Sequence, residues 1–222
     1  ASDTPEFMEF EARLRRELHS LSASLKRSVP FHSPRYLGHM VSDVLLPGLA
    51  AQFLTLPYNP NNVSVDAAPV TVDLEIKTGL QLARMLGFST DTTKADCAFG
   101  HLTSGGTVAN FQALRLAMAL KAFPVALLAA NPPDLSLPED DWQAYNLTPD
   151  QSIALLSRWH HWLDQQSSAD KQHYLRRLRT ERIETRGISD FFTTHPDLVV
   201  PSVLAPITAH YSWSKGVKLL GL

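Results

Sequence analysis

Cysteine is almost missing from this sequence. Cys97 is the one thiol in 222 residues, so no internal disulfide can form and a reducing, cytoplasmic compartment is the expectation. A charge excess of either sign is missing too. Lys and Arg number 20 against 22 Asp and Glu, and no basic run stands out, which argues against nucleic acid and anionic membrane surfaces as partners. No uninterrupted apolar run is long enough to predict a membrane span. The start, ASDTPEF, has neither an initiating Met nor a charged region followed by an apolar core, so it reads as a trimmed or tag-derived end rather than a signal peptide. The histidines are scattered, and adjacent His160 and His161 on a helix cannot face one ion together, so no metal site is expected.

What is present is ample apolar material, 44% of the chain, enough for a sizeable core. Residues 5–27 carry Phe7, Phe10, Leu14, Leu18, Leu21 and Leu25 at steps of three and four, which predicts an amphipathic helix stopped by Val29-Pro30. Its stripe must lie on something, and a subunit partner is as plausible as its own domain. A second helical run is expected over 44–56, a loop at Tyr58-Asn59-Pro60-Asn61-Asn62, and a third helix from Pro69 to about Leu86 with Gly87 just past its end. Residues 131–150, rich in Pro, Asp and Ser, read as surface insertion, and 150–184 as a polar, solvated helical excursion. Its Arg176, Arg177 and Arg179, interleaved with Glu181 and Glu184, read as a salt-bridged face in preference to an anion site. Residues 198–205 read as a buried β-strand, and 212–220 as a short helix closed by Gly221. Alternating strand, loop and helix predicts an α/β fold with a mainly parallel sheet, and too few strands to complete one make the chain look unfinished.

The chain is organised around Gly100-His101-Leu102-Thr103-Ser104-Gly105-Gly106-Thr107-Val108-Ala109-Asn110. An extended segment runs into a glycine turn, and an apolar helical pattern follows at once. Such a turn points several unpaired backbone N–H groups one way, at the positive end of a helix dipole, with no side chains to block an anion. Ser104 and Thr107 add hydroxyls, and Thr107 is equally a candidate N-cap. The site is of phosphate size, yet a plain capped helix after a glycine turn fits the same residues. The spacing matches neither a Walker A loop nor G-x-G-x-x-G.

Five blocks in order then carry a family resemblance: YLGHMVSDVLLPGLAAQF (36–53), YNPNNV (58–63), AAPVTVDLE (67–75), GHLTSGGTVAN (100–110) and LAPITAHYSWSKGVKLLG (204–221). Together they resemble the N-terminal half of the pyridoxal-phosphate-dependent group II amino-acid decarboxylases, most of all the bacterial tyrosine and aromatic-amino-acid branch. The resemblance implies a fold-type-I, aspartate-aminotransferase-like architecture working as a homodimer. It implies pyridoxal 5'-phosphate as cofactor, and decarboxylation of an L-amino acid, aromatic substrates favoured, to an amine and CO2. Residues 1–70 would form an N-terminal helical, dimerising segment, and 71–222 an incomplete cofactor-binding large domain with a helical insertion at 130–195.

By the same resemblance Gly105, Gly106 and Thr107 match the loop that grips the cofactor phosphate, and His210 the histidine that stacks on the pyridine ring and serves catalysis. Thr71 matches the substrate side, though a first-turn or N-cap threonine explains it as well. His39 falls where relatives place a polar residue near the substrate, and a histidine at a subunit contact is the other reading. In this family the Schiff-base lysine and the aspartate that pairs with the pyridine nitrogen both lie downstream of the HYSW block. The chain alone is therefore expected to be inactive, completed by a missing C-terminal portion or a second chain. Val108 departs from the acidic residue common at that place. Two other readings stand beside the enzyme: a non-catalytic decarboxylase-like dimerisation or binding module, and an S-x-x-K acyl-transfer site at Ser212-Trp213-Ser214-Lys215. The last lacks the partner motifs S-D-N and K-T-G.

Overall fold

The computed structural model describes residues 3–94 and 97–222. Along the chain run α1 (Pro5–Leu25), α2 (Leu46–Thr55), α3 (Pro69–Met85), α4 (Gly106–Ala130), α5 (Asp141–Tyr145), α6 (Pro149–Asp164), α7 (Ser168–Glu181), α8 (Ile183–Arg186), α9 (Ile188–Thr194) and α10 (Ser212–Leu220). The chain divides into two compact units, Ala1–Leu74 and Glu75–Leu222, with the division falling inside α3.

In the first unit α1 begins as its sequence dictates. Thr4 caps it by accepting from the Phe7 N–H, Pro5 fills the first turn where no N–H is needed, and Glu6 faces the positive end of the dipole. Arg15 and Glu11 pair at 2.7 Å one turn apart. Its apolar stripe is uncovered, with Phe10 60% exposed.

The second unit is built around α4, against which α5, α6, α7, α8 and α10 all pack. Between Ala122 and Ala130 this helix is buried almost all round. One cluster joins its Phe123, Leu127 and Ala130 to Leu155, Trp159, Trp162 and Leu163 of α6 and Leu178 of α7. A second joins Ala122 and Val125 to Tyr145, Ile183, Phe191 and Leu198. The core of this unit therefore lies in the region read from sequence as surface insertion and solvated excursion. The reason is visible in α6. Leu155, Trp159, Trp162 and Leu163 recur at helical spacing, and their bulk outweighs the polar residues that dominate the count. A capping box starts this helix: Thr148 accepts from the Gln151 N–H while the Gln151 side chain accepts from the Thr148 N–H. Buried His195 bonds Asp141 at 2.5 Å and ties the end of α9 to the start of α5.

α4 also bears on the membrane reading, by length and composition alone, as a buried core helix does. It is the one described helix long and apolar enough to cross a membrane, because Arg115 and Lys121 interrupt the run without lowering its mean hydropathy far.

Among the described residues there is no β-strand, so the expected α/β alternation is not formed by them. Residues 198–205 are non-helical and unpaired in any ladder. Apolar, β-branched residues favour an extended chain, but a strand exists only when a neighbouring backbone takes its N–H and C=O groups. Val199 is 71% and Leu204 97% exposed, so this stretch is not the buried strand its composition suggested.

Candidate functional site

Gly105 precedes α4 as its N-cap, with φ +115°, a conformation L-residues with a side chain rarely adopt. α4 starts at Gly106, so Thr107 lies inside the first turn and is not the N-cap. No side chain caps this end of the helix, and Thr103 Oγ1 donates to the Gly105 carbonyl at 3.1 Å. A Cβ placed on Gly105 or Gly106 would meet nothing within 4 Å. The start of a 25-residue helix is thus open to solvent, its first N–H groups unoccupied by any capping side chain and at the positive pole of the dipole. That geometry fits the phosphate end of the implied cofactor.

His210 is tied to the same end of α4. Asn110, one turn into the helix, donates from Nδ2 to the Ser212 Oγ at 2.9 Å. Ser212 in turn lies 2.9 Å by Oγ and 3.3 Å by its backbone N–H from His210 Nδ1. A backbone N–H only donates, so Nδ1 is the acceptor, the Ser212 hydroxyl donates to it, and the neutral ring carries its proton on Nε2. The ring itself is exposed and packs on Tyr211 at 4.1 Å between centroids. α10 approaches α4 closely because residue 216 is glycine: a Cβ there would sit 3.0 Å from a Leu114 methyl. The nearby Lys215 ammonium rests over the Tyr211 ring at 4.5 Å.

The extended approach to the turn is held from α3. Glu75 Oε1 accepts from the Leu102 N–H at 2.8 Å, and Gly79 lets the Gly100 backbone come so near that a Cβ would lie 2.5 Å from its carbonyl oxygen.

His39 and Thr71 belong to the first unit, whereas the residues described above belong to the second. Thr71 sits in the first turn of α3 and donates to Asn62 Oδ1 at 2.6 Å. It lines a largely apolar cavity of about 430 Å3 with Thr55, Tyr58, Pro60, Ala68 and Pro69. His39 is exposed, with Nδ1 3.2 Å from the Tyr36 hydroxyl. Asn110 and Glu75 were not singled out from sequence, and Ser212 was weighed only as the serine of an S-x-x-K site. The available signal was a polar Asn110 amid the apolar run that starts α4.

The site presents a glycine-turn helix start and a histidine tied to it through Ser212 and Asn110, and the chain is similar in sequence to amino-acid decarboxylases. Three L-tyrosine decarboxylases match it: from Levilactobacillus brevis, 29% identical across 99% of this chain and 31% of the relative; from Enterococcus faecalis, 27% across 92% and 29%; and from Enterococcus faecium, 25% across 99% and 32%. The chain spans about three-tenths of the length of these curated relatives. No family model matches it.

Proposed function

We propose that this chain supplies the phosphate-gripping turn and the ring-facing histidine of a fold-type-I, pyridoxal-phosphate-dependent amino-acid decarboxylase. The observation that carries the reading is the hydrogen-bonded path from Asn110 through Ser212 to His210, which fixes an exposed imidazole beside an open helix start. The N–H groups that follow Gly105 and Gly106, with the Thr107 and Ser104 hydroxyls, bind and orient the cofactor phosphate. His210 keeps Nε2–H free to hold or pass a proton on the substrate side, because Nδ1 is already engaged. Thr71 and His39 are assigned to the substrate side, where the Thr71 hydroxyl turns its one proton from Asn62 Oδ1 to the α-carboxylate. When bound, pyridoxal phosphate supplies the electron-withdrawing ring that carbon–carbon cleavage requires.

L-tyrosine or a similar aromatic L-amino acid is the proposed substrate, with an amine and CO2 as products, as the names of the three relatives suggest. The uncovered stripe of α1 supports a homodimer, and the single cysteine supports a cytoplasmic setting. In the enzyme containing this chain, His210→Ala should lower amine formation from L-tyrosine by about 10²–10⁴-fold while cofactor binding persists. Undiminished turnover would remove His210 from the chemistry.

A further inference from the structure

A second positively charged cleft lies in the second unit, built from residues other than those of the glycine turn. It has a volume of about 460 Å3 and is lined by Arg115 of α4, by Leu175, Leu178 and Arg179 of α7, and by Arg182 and Glu184 around the start of α8. Leu175, Leu178 and Arg179 recur at steps of three and four on one side of α7, and Arg182 follows its end in an extended conformation. Leu178 is buried and gives the cleft an apolar floor.

The charge is unbalanced. Arg182 forms its ion pair with Glu184, while among the described residues neither Arg115 nor Arg179 has an ion-pair partner. Nearby guanidiniums are accounted for differently: Arg186 is held by Glu181 at 2.6 Å and Asp190 at 2.9 Å, and Arg177 reaches the Ala129 carbonyl at 3.4 Å. Burial pushes the Glu184 carboxyl up, but hydrogen bonds from Arg182 and its own backbone N–H, with the Arg182 and Arg115 charges, hold it below its ordinary value. The single carboxylate therefore stays ionised, and the cleft keeps an excess of two positive charges from three guanidiniums.

We propose that this cleft binds a small dianion of the phosphate-monoester class. Each guanidinium fork donates two parallel N–H bonds to a pair of oxygens of the tetrahedral phosphate, whose charge near neutral pH is about −1.5 to −2 and offsets the excess. Leu175 and Leu178 receive an apolar portion of the ligand. The arginine cluster that read from sequence as a uniformly salt-bridged face is thus divided, with Arg179 turned to the cleft.

The test is a titration of the 15N-labelled protein with inorganic phosphate, ionic strength held constant with chloride, following the Arg side-chain N–H signals. Gly106→Val is the background, so that the glycine turn does not compete. Saturable shifts at Arg115 and Arg179 are expected, with Kd raised about tenfold by Arg115→Ala or Arg179→Ala and less than about twofold by Arg158→Ala on α6. Arg179→Lys, which keeps the charge and loses the fork, should fall between and guards against a misfolded alanine variant. Absence of saturable shifts, or an equal loss with Arg158→Ala, would overturn the site. Neither outcome bears on the decarboxylase reading, which rests on other residues.

Discussion

Asn110 and Ser212 are 102 positions apart in the chain, and their side chains meet at 2.9 Å. The bond joins the first turns of α4 to the first residue of α10, and the same serine hydroxyl holds His210. Ser212 is 2% exposed. Ser212→Ala leaves the Asn110 amide short of its acceptor and the imidazole free to turn. A loss of about 1–3 kcal/mol is expected in urea unfolding, together with loss of the Nε2–H tautomer preference in histidine NMR. A variant with unchanged stability and an unchanged His210 signal would show that the path does not position the ring.

The energetic centre of the second unit is Trp159, 1% exposed and stacked on Trp162 with ring centroids 5.3 Å apart. Trp159→Ala should cost about 3–5 kcal/mol. Phe10→Ala, on the uncovered stripe of α1, should change the stability of the isolated protein by only about 0.5 kcal/mol. Denaturant midpoints of the two variants decide between a core in α6 and a peripheral excursion.

Local signals were legible where one helix decides its own ends. Pro5, Gly87 and Gly221 mark boundaries that the structure keeps, and Gly87 and Gly221 have φ of +83° and +72°. The helix over 212–220 is found as α10. Illegible features are those that depend on partners elsewhere in the chain. Trp159 and Trp162 sit among charged neighbours, so composition hid a core that periodicity contained. Residues 198–205 have strand-like composition, but a ladder needs a second backbone, which no single segment encodes. The glycine turn was legible as an anion-sized cradle, yet the lock on His210 needed two polar side chains to meet across 102 residues.

Tyr145 gives the fold an alkaline limit. Its ring packs with Phe192 and beneath the Lys121 ammonium, and its buried hydroxyl has no hydrogen-bond partner among the described residues. Burial pushes its pKa up to about 12 from 10.0. A group whose folded pKa is raised adds stability that is fully present below the unfolded value and fades as pH climbs through the folded one. Stability should thus fall between pH 10 and about 12, and Tyr145→Phe should remove this component of the fall. Because it deletes an unpartnered hydroxyl, the same substitution should be neutral or mildly stabilising at pH 7. Thermal unfolding across pH 7 to 12 measures both.

Gly79 is a spacing residue for the approach to the turn. Gly79→Ala puts a methyl 2.5 Å from the Gly100 carbonyl oxygen, and backbone, not a flexible side chain, must give way. A loss of about 1–3 kcal/mol is expected. A shifted Leu102 amide signal should accompany it as the bond that the Leu102 N–H donates to Glu75 breaks. Wild-type stability together with an unshifted Leu102 would rule out the close approach.

The most direct measurement compares pyridoxal phosphate with pyridoxal, which lacks the phosphate, in titrations of the purified protein and of Gly106→Val. A Cβ at Gly106 meets no atom within 4 Å beyond its chain neighbours and its own helix backbone, so the variant should fold and place its methyls in front of the helix start. With the arginine cleft disabled by Arg115→Ala and Arg179→Ala in both proteins, the unsubstituted turn should bind pyridoxal phosphate at least about tenfold more tightly than pyridoxal, and Gly106→Val should erase that difference. Equal affinity for the two compounds, or a phosphate preference that survives Gly106→Val, would contradict the assignment of this turn as the cofactor cradle.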